Sequence, residues 1–285
     1  FDEPTIRGAL ISLLGFDLPQ AIAVLEACDE LQTEKMSCRI NSMMSCVEQA
    51  SQSGEPTPEE IERVRDVLDK TWDPADDQVS VSSSEVAAHL AMDEGLVSKI
   101  LDEFSIPDTL GAPRAVADDF TLGKNILRTR PILQNGSGLH MLVHPALVLP
   151  SVRENFEEKL KGSPSWNEYQ MHRGKYLEDE TARAFEVLLP GAVKHSGFEY
   201  FIPANEQERV DGPAKYTKLV EGDLLFLLDD VAVIAEEKAV ALASKAREGN
   251  TARLKSDLIR IITAAAEQAD RLKHLIENDS GFRLR

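Results

Sequence analysis

The sequence predicts a mixed α/β (α+β) protein in two parts: a helical N-terminal region, then a core of helices around a small sheet. Three observations carry this. Two short runs rich in Leu, Val, Ile and Phe, Leu224–Leu228 and Val231–Ala235, are separated only by Asp229–Asp230 and read as a β-hairpin. After it, Thr251–Glu277 repeats Leu254, Leu258, Ile261, Ile262, Ala265, Ala269, Leu272 and Ile276 at the spacing of a long helix. Before it, the N-terminal half is mostly helical in pattern, with Pro19–Ala50 free of Gly and Pro after its first residue.

The hairpin fixes a register. With the turn at Asp229–Asp230, Leu228 faces Val231, and counting outward sets Asp223 opposite Glu236 and Glu221 opposite Lys238. Opposed residues share a face, with Cβ atoms roughly 5 Å apart. Two carboxylates that close repel unless a proton or a cation lies between them. Both faces of each strand are apolar: Leu224, Phe226 and Leu228 against Leu225 and Leu227, then Val231, Val233 and Ala235 against Ala232 and Ile234. Strands of that kind lie inside a sheet covered by helices. The charges therefore sit at the far end of buried strands, where like-charged pairs mark functional positions; an exposed ion pair on a sheet edge would contribute little.

Gly222-Asp223, the apolar hairpin and Glu236-Glu237-Lys238 resemble the signature of the PD-(D/E)XK, or restriction-endonuclease-like, nuclease superfamily: an acid, then E-x-K on the next strand. The resemblance covers the chain from about Trp166 to its end. Gly222 departs from the pattern, since the family often has proline there. The resemblance implies an αβββαβ core with a central mixed sheet. The chain offers a helix over Ser165–Leu189 stopped by Pro190–Gly191, a strand over Val193–Phe201, the hairpin over Lys218–Leu228 and Val231–Ala239, the helix Thr251–Glu277, and a last strand opened by Phe282–Arg285 and cut short. That short strand, and Phe rather than Met at residue 1, read as a fragment of a longer protein.

The resemblance further implies a Mg²⁺- (or Mn²⁺-) dependent nuclease that hydrolyses phosphodiester bonds, acting on DNA in preference to RNA. Asp223, Glu236 and Lys238 are the implied catalytic residues. Asp223 and Glu236, with Glu178 and the backbone carbonyl of Glu237, are the implied metal ligands, all hard oxygen donors. Lys238 would orient the attacking water or offset charge on the phosphate. The side chain of Glu237 is expected on the other face by strand alternation. Glu178 and Glu180 compete for the place of the helix ligand. Glu178 heads the stripe Ala182, Phe185, Leu189, and Glu180 heads Ala184, Val187, Leu188; the two stripes do not separate them, and Glu178 is preferred because its place after Gly174 resembles that of the family's glutamate. Gln268 reads as a structural polar residue, and Lys245, Arg247, Arg253 and Lys255 as either phosphate contacts or a solvated edge.

Charge weighs against tight nonspecific binding of nucleic acid by the whole chain, whose formal net charge is −18. The acidity is uneven: residues 1–164 hold 14 Lys/Arg against 28 Asp/Glu, and residues 165–285 hold 17 against 21. The acidic helical half is therefore a candidate protein-contacting region. Cys28, Cys38 and Cys46 are odd in number and lack zinc-ligand spacing, as expected of reduced thiols in a cytoplasmic protein. No apolar run reaches spanning length and no signal peptide is evident, so no membrane partner is expected; an oligomer is compatible with the sequence.

Three segments are expected: a helical region over 1–110, a connecting hairpin and helix over 111–164, and the nuclease-like part over 165–285. Ser51–Pro58 reads as a loop, with Thr57 and Glu60 forming a capping box. Ser84–Leu90 and Leu96–Leu101, broken at Met92–Gly95, resemble a helix-turn-helix. Asp93, Glu94, Asp102 and Glu103 outnumber Lys99 around the second helix, which favours a structural or protein-contacting pair over base reading. Arg130–His144 reads as a second hairpin around Asn135–Gly138, and Ser151 with Glu154 as the capping box of a helix through Lys161. His140, His144, His172 and His195 read as structural. The alternative to a nuclease is a nonenzymatic DNA- or protein-binding regulator that keeps the fold as a scaffold.

Overall fold

The computed structural model describes residues 1–52, 57–106, 113–240, 242–247, 249–279 and 281–285. Helices dominate, joined by two small antiparallel sheets, so the α+β class holds. The chain divides into two compact units, Phe1–Trp166 and Asn167–Arg285.

The first unit contains α1 (Pro4–Leu14), α2 (Leu18–Gln52), α3 (Pro58–Trp72), α4 (Asp76–Val79), α5 (Ser83–Leu90), α6 (Glu94–Phe104), α7 (Pro113–Thr121), β1 (Ile132–Gln134), β2 (His140–Leu142) and α8 (Val148–Lys161). Ile6, Leu10, Val24 and Leu25 are buried, and Phe16, Phe104 and Phe156 pack together with ring centroids 6.1–6.5 Å apart. Asp17 is buried because it accepts the Gln20 amide at 3.1 Å and pairs with Arg7 at 2.5 Å.

The Thr57–Glu60 capping box forms at α3, with the Glu60 amide 3.3 Å from Thr57 Oγ1 and the Thr57 amide 2.8 Å from Glu60 Oε2. Residues 53–56 of the expected loop lie outside the described residues. The second hairpin forms as expected, Ile132 pairing with Leu142 and Gln134 with His140. The segment 111–164 is part of this unit: Val81 bridges His140 and Ser105 bridges Ile132. The expected division between 110 and 111 lies outside the described residues.

The Ser151–Glu154 capping box is not there. Helix α8 begins one turn earlier, at Val148, so both residues are helical and buried. Ser151 Oγ donates to the Leu127 carbonyl at 2.9 Å, and Glu154 pairs with Arg128. No single helix among the described residues is long and apolar enough to cross a membrane.

The helix pair α5–α6 turns at Ala91, whose φ is 50°. Helix α6 buries Val97, Ile100, Leu101 and Phe104. Its one lysine, Lys99, lies over the end of α1, where a Cβ on Gly15 would stand 2.2 Å from its Nζ.

The second unit contains α9 (Trp166–Leu188), β3 (Val193–Ile202), α10 (Glu206–Asp211), β4 (Lys218–Leu228), β5 (Val231–Ala235), α11 (Ser244–Arg247), α12 (Thr251–Leu258), a π-helical stretch (Ile259–Thr263), α13 (Ala264–Asn278) and β6 (Arg283–Leu284). The sheet order is β5-β4-β3-β6. Asp229 takes φ 52° at the hairpin turn, a conformation that Asp tolerates better than most side chains. The hairpin register runs from Leu228–Val231 to Leu224–Ala235, as counted from the turn.

Helices cover both faces of these strands. Leu224, Phe226, Val233 and Ala235 pack against Ala182, Phe185 and Leu189 of α9 and its C-terminal extension. Leu225, Leu227, Ala232 and Ile234 pack against Leu272, Leu275 and Ile276 of α13. One expectation is corrected: every pairing in the described sheet is antiparallel, so the sheet is not mixed. The reversal at Gly281 (φ 129°) sends Arg283–Leu284 back along the end of β3, opposite Phe201 and Tyr200.

Candidate active site

The site begins with a flaw in the sheet. Ser196 pairs with Leu224 and Phe198 with Gly222, but Gly197, with φ 51°, and Asp223 between them are left out of the pairing. Beyond this point the alternation changes phase. Val220 packs with Leu225 and Leu227, although strict alternation would put it with Leu224 and Phe226. Irregularities of this kind re-aim side chains next to active sites. Asp223 is the side chain at the irregularity.

Gly222 is required here by packing. A Cβ on it would meet Cζ of Phe198 at 2.6 Å, and that ring is itself held 5.6 Å from the Tyr200 ring in the core. The glycine that departs from the family pattern is thus the partner of a cross-strand aromatic. Gly222→Ala is expected to destabilise the second unit by about 1–3 kcal/mol, as overpacked cores do. A thermal melt lowered by several degrees would bear this out, and an unchanged melt would contradict it.

The expected strand Val231–Ala239 stops at Ala235. The Glu237 amide donates to Asp223 Oδ2 at 2.8 Å instead of continuing the ladder, and the Val240 amide donates to the Lys238 carbonyl at 2.7 Å in a three-residue turn. Two expectations fail for that reason. Glu221 and Lys238 are not paired: Lys238 Nζ lies 3.5 Å from Asp223 Oδ2 and 3.7 Å from Glu236 Oε2. Asp223 and Glu236 are not ladder partners either, since the pairing of β4 with β5 ends at Leu224–Ala235. The charges of Asp223 and Glu178 both act on Glu237.

Asp223, Glu236, Glu237 and Lys238 therefore form one electrostatic cluster. The Glu236 side chain is 3% exposed. Burial first, then the negative charge of Asp223, pushes its carboxyl up to about 7, with Lys238 opposing in part. Glu237 is raised too, chiefly by burial. Glu236 Oε2 is buried without a hydrogen bond among the described residues, while a hydrogen bond with Thr181 on α9 offsets part of the rise at Glu237. Tyr200 on β3 is raised by burial first, with the charge of Arg271 on α13 opposing and that of Glu236 adding to it. Nothing in the sequence marks Tyr200, whose nearness to this cluster comes from the pairing of β3 with β4.

The two helix candidates differ in which of their stripes faces the sheet. Ala182, Phe185 and Leu189 do so, and Glu178 on that side is raised by burial and then by the charge of Asp223. Glu180 pairs with Arg183, and its own stripe is exposed, with Val187 at 81% and Leu188 at 71%. Removing Glu178 should therefore impair the site, and removing Glu180 should not. Metal-induced thermal stabilisation of Glu178→Ala and Glu180→Ala checks this; equal behaviour of the two would contradict it.

Five positions flagged in sequence lie outside this cluster's described contacts. Gln268 is half-buried on α13, Lys245 and Arg247 lie on α11, and Lys255 is exposed on α12. Arg253 is tied to Asp257 at 3.2 Å. Of the histidines, His140 is buried against Ser105 Oγ at 3.2 Å, and His144 accepts the Ala146 amide at 3.1 Å. The cysteines form no disulfide, and burial pushes the Cys28 thiol up to about 12.

The donor set fits a hard divalent cation. Its atoms are carboxylate oxygens from residues whose charges repel, and one of Glu236's is buried without a hydrogen bond among the described residues. Among the described residues, however, no group of three or more His, Cys, Asp or Glu side chains is gathered closely enough to chelate an ion as it stands. Glu178, Asp223 and Glu236 share a field rather than a coordination shell. Comparison with protein-family profiles, with curated proteins and with solved structures yields no match.

Proposed function

We propose that the second unit is a metal-dependent nuclease hydrolysing phosphodiester bonds, DNA in preference to RNA. The observation that carries the proposal is the pair of Asp223, half-buried, and Glu236, 3% exposed, with Lys238 Nζ within 3.5 and 3.7 Å of the two. A like-charge pair drawn partly out of water beside a lysine destabilises the fold, and it sits where the sheet breaks its pattern. Such an arrangement is expected of a site that binds a cation and an anion together.

Asp223 and Glu236, with Glu178 and the Glu237 carbonyl, would hold Mg²⁺ or Mn²⁺. When bound, the ion supplies Lewis-acid polarisation of the phosphate and a more acidic water. Asp223 would orient the E-x-K segment by accepting the Glu237 amide at 2.8 Å. Glu236, raised to about 7, would offer its carboxylate to the ion at neutral pH and above. Lys238 would then give its ammonium to the phosphate oxygens or orient the attacking water.

A digestion panel tests this: the full chain with Mg²⁺ or Mn²⁺ on supercoiled plasmid, linear duplex, single-stranded DNA and RNA, against chelator controls. Cleavage of at least one substrate that chelator abolishes is the expected result. No cleavage of any substrate would move the assignment to the nonenzymatic regulator.

A further inference from the structure

We infer that Asp257 on α12 is a positioning residue of the proposed site: it anchors the segment that carries Glu236 and Lys238 and holds two arginines for the substrate's phosphates. This rests on the nuclease reading above. Once β5 ends, residues 236–240, 242 and 243 belong to no strand among the described residues, and the main chain there is held by individual tethers. The Glu237 amide goes to Asp223, and Arg173 on α9 donates to the Ala239 carbonyl. At the far end, the Ala243 amide donates to Asp257 Oδ2 at 2.8 Å.

Asp257 is 1% exposed, an expensive place for a carboxylate unless it is paired and hydrogen-bonded. Its Oδ1 lies 3.2 Å from Arg253 Nε and 3.3 Å from Arg260 Nη2, one turn to either side on the same helical run. The two oxygens thus have different duties, one to the site segment and one to the arginines. Each guanidinium carries five N–H donors, and these two side chains remain 45% and 56% exposed. Two arginines held at their inner edge and open at their outer edge suit the phosphate backbone of a nucleic acid, which asks for charge and donors without reading bases.

The two oxygens can be separated by substitution. Asp257→Asn keeps an acceptor for Ala243 and loses the ion pairs; Asp257→Ala loses both. In the full chain, Asp257→Asn is expected to raise KM on DNA about tenfold with kcat near that of the parent, as Arg253→Ala/Arg260→Ala should also do. Asp257→Ala is expected to lower kcat as well, and to speed amide hydrogen exchange across residues 236–243 at least tenfold. Equal kcat and unchanged exchange in a folded Asp257→Ala would overturn the inference while leaving the nuclease reading intact. Loss of folding in both variants would also overturn it, leaving a structural role alone. If the parent cleaves nothing, the nuclease reading fails; unaltered exchange at 236–243 in Asp257→Ala would then dismiss the anchoring role too, and accelerated exchange would uphold it.

Discussion

Asp223→Ala is expected to lose metal-dependent cleavage by a factor on the order of 10³ or more while the chain stays folded, and Lys238→Ala to lose it comparably. Asp223 makes three contributions at once. Its Oδ2 accepts the Glu237 amide at 2.8 Å, its charge holds Lys238 3.5 Å away, and that same charge raises Glu236. Alanine removes an acceptor and a charge from a half-buried position without opening the apolar layers on either side of the sheet. Circular dichroism close to that of the parent, with single-turnover cleavage reduced to background, is the expected pair of readings. Cleavage at the parent's rate in purified Asp223→Ala would remove the residue from the mechanism.

Glu236→Gln is expected to do two opposite things: stabilise the metal-free fold at alkaline pH and end the stabilisation that Mn²⁺ confers. The folded-state pKa of Glu236, about 7, is above its ordinary value of 4.5. The stability tied to its neutral form is therefore fully present below pH 4.5 and is lost as pH rises through about 7. At 1.36 kcal/mol per pKa unit, the loss amounts to a few kcal/mol. Metal-free parent protein should therefore melt at lower temperature at pH 8 than at pH 5.5, and Glu236→Gln should flatten that dependence. A cation binding the carboxylates reverses the penalty in the parent by linkage; glutamine offers it one neutral oxygen. Equal destabilisation of Glu236→Gln at both pH values would contradict the buried-charge reading.

Much of the second unit was legible in the sequence because its signals are local. The hairpin turn at Asp229–Asp230 and two apolar strands fix a register, and that register is the one observed from Leu228–Val231 to Leu224–Ala235. Apolar residues on both strand faces announced two covering layers, supplied by α9 and α13. The site was legible only to its first approximation. Where β5 would end depended on a side chain, Asp223, taking an amide that a main-chain carbonyl would otherwise take, and hydrophobic periodicity does not encode that exchange. The position of Lys238 followed from it. The last strand lies within Phe282–Arg285 as expected, but its antiparallel direction depends on the reversal after α13 at Gly281, which no pattern within those residues announces. In the first unit, Ser151 and Glu154 have capping-box spacing but lie inside the helix, each occupied by a distant partner that spacing cannot show.

The most direct single measurement compares the parent with Asp223→Ala on one labelled duplex, each with Mn²⁺ and with chelator. Cleavage in the parent–Mn²⁺ reaction alone is the expected result. Cleavage by both proteins, or by the parent in chelator, would contradict a site built on Asp223, Glu236 and Lys238.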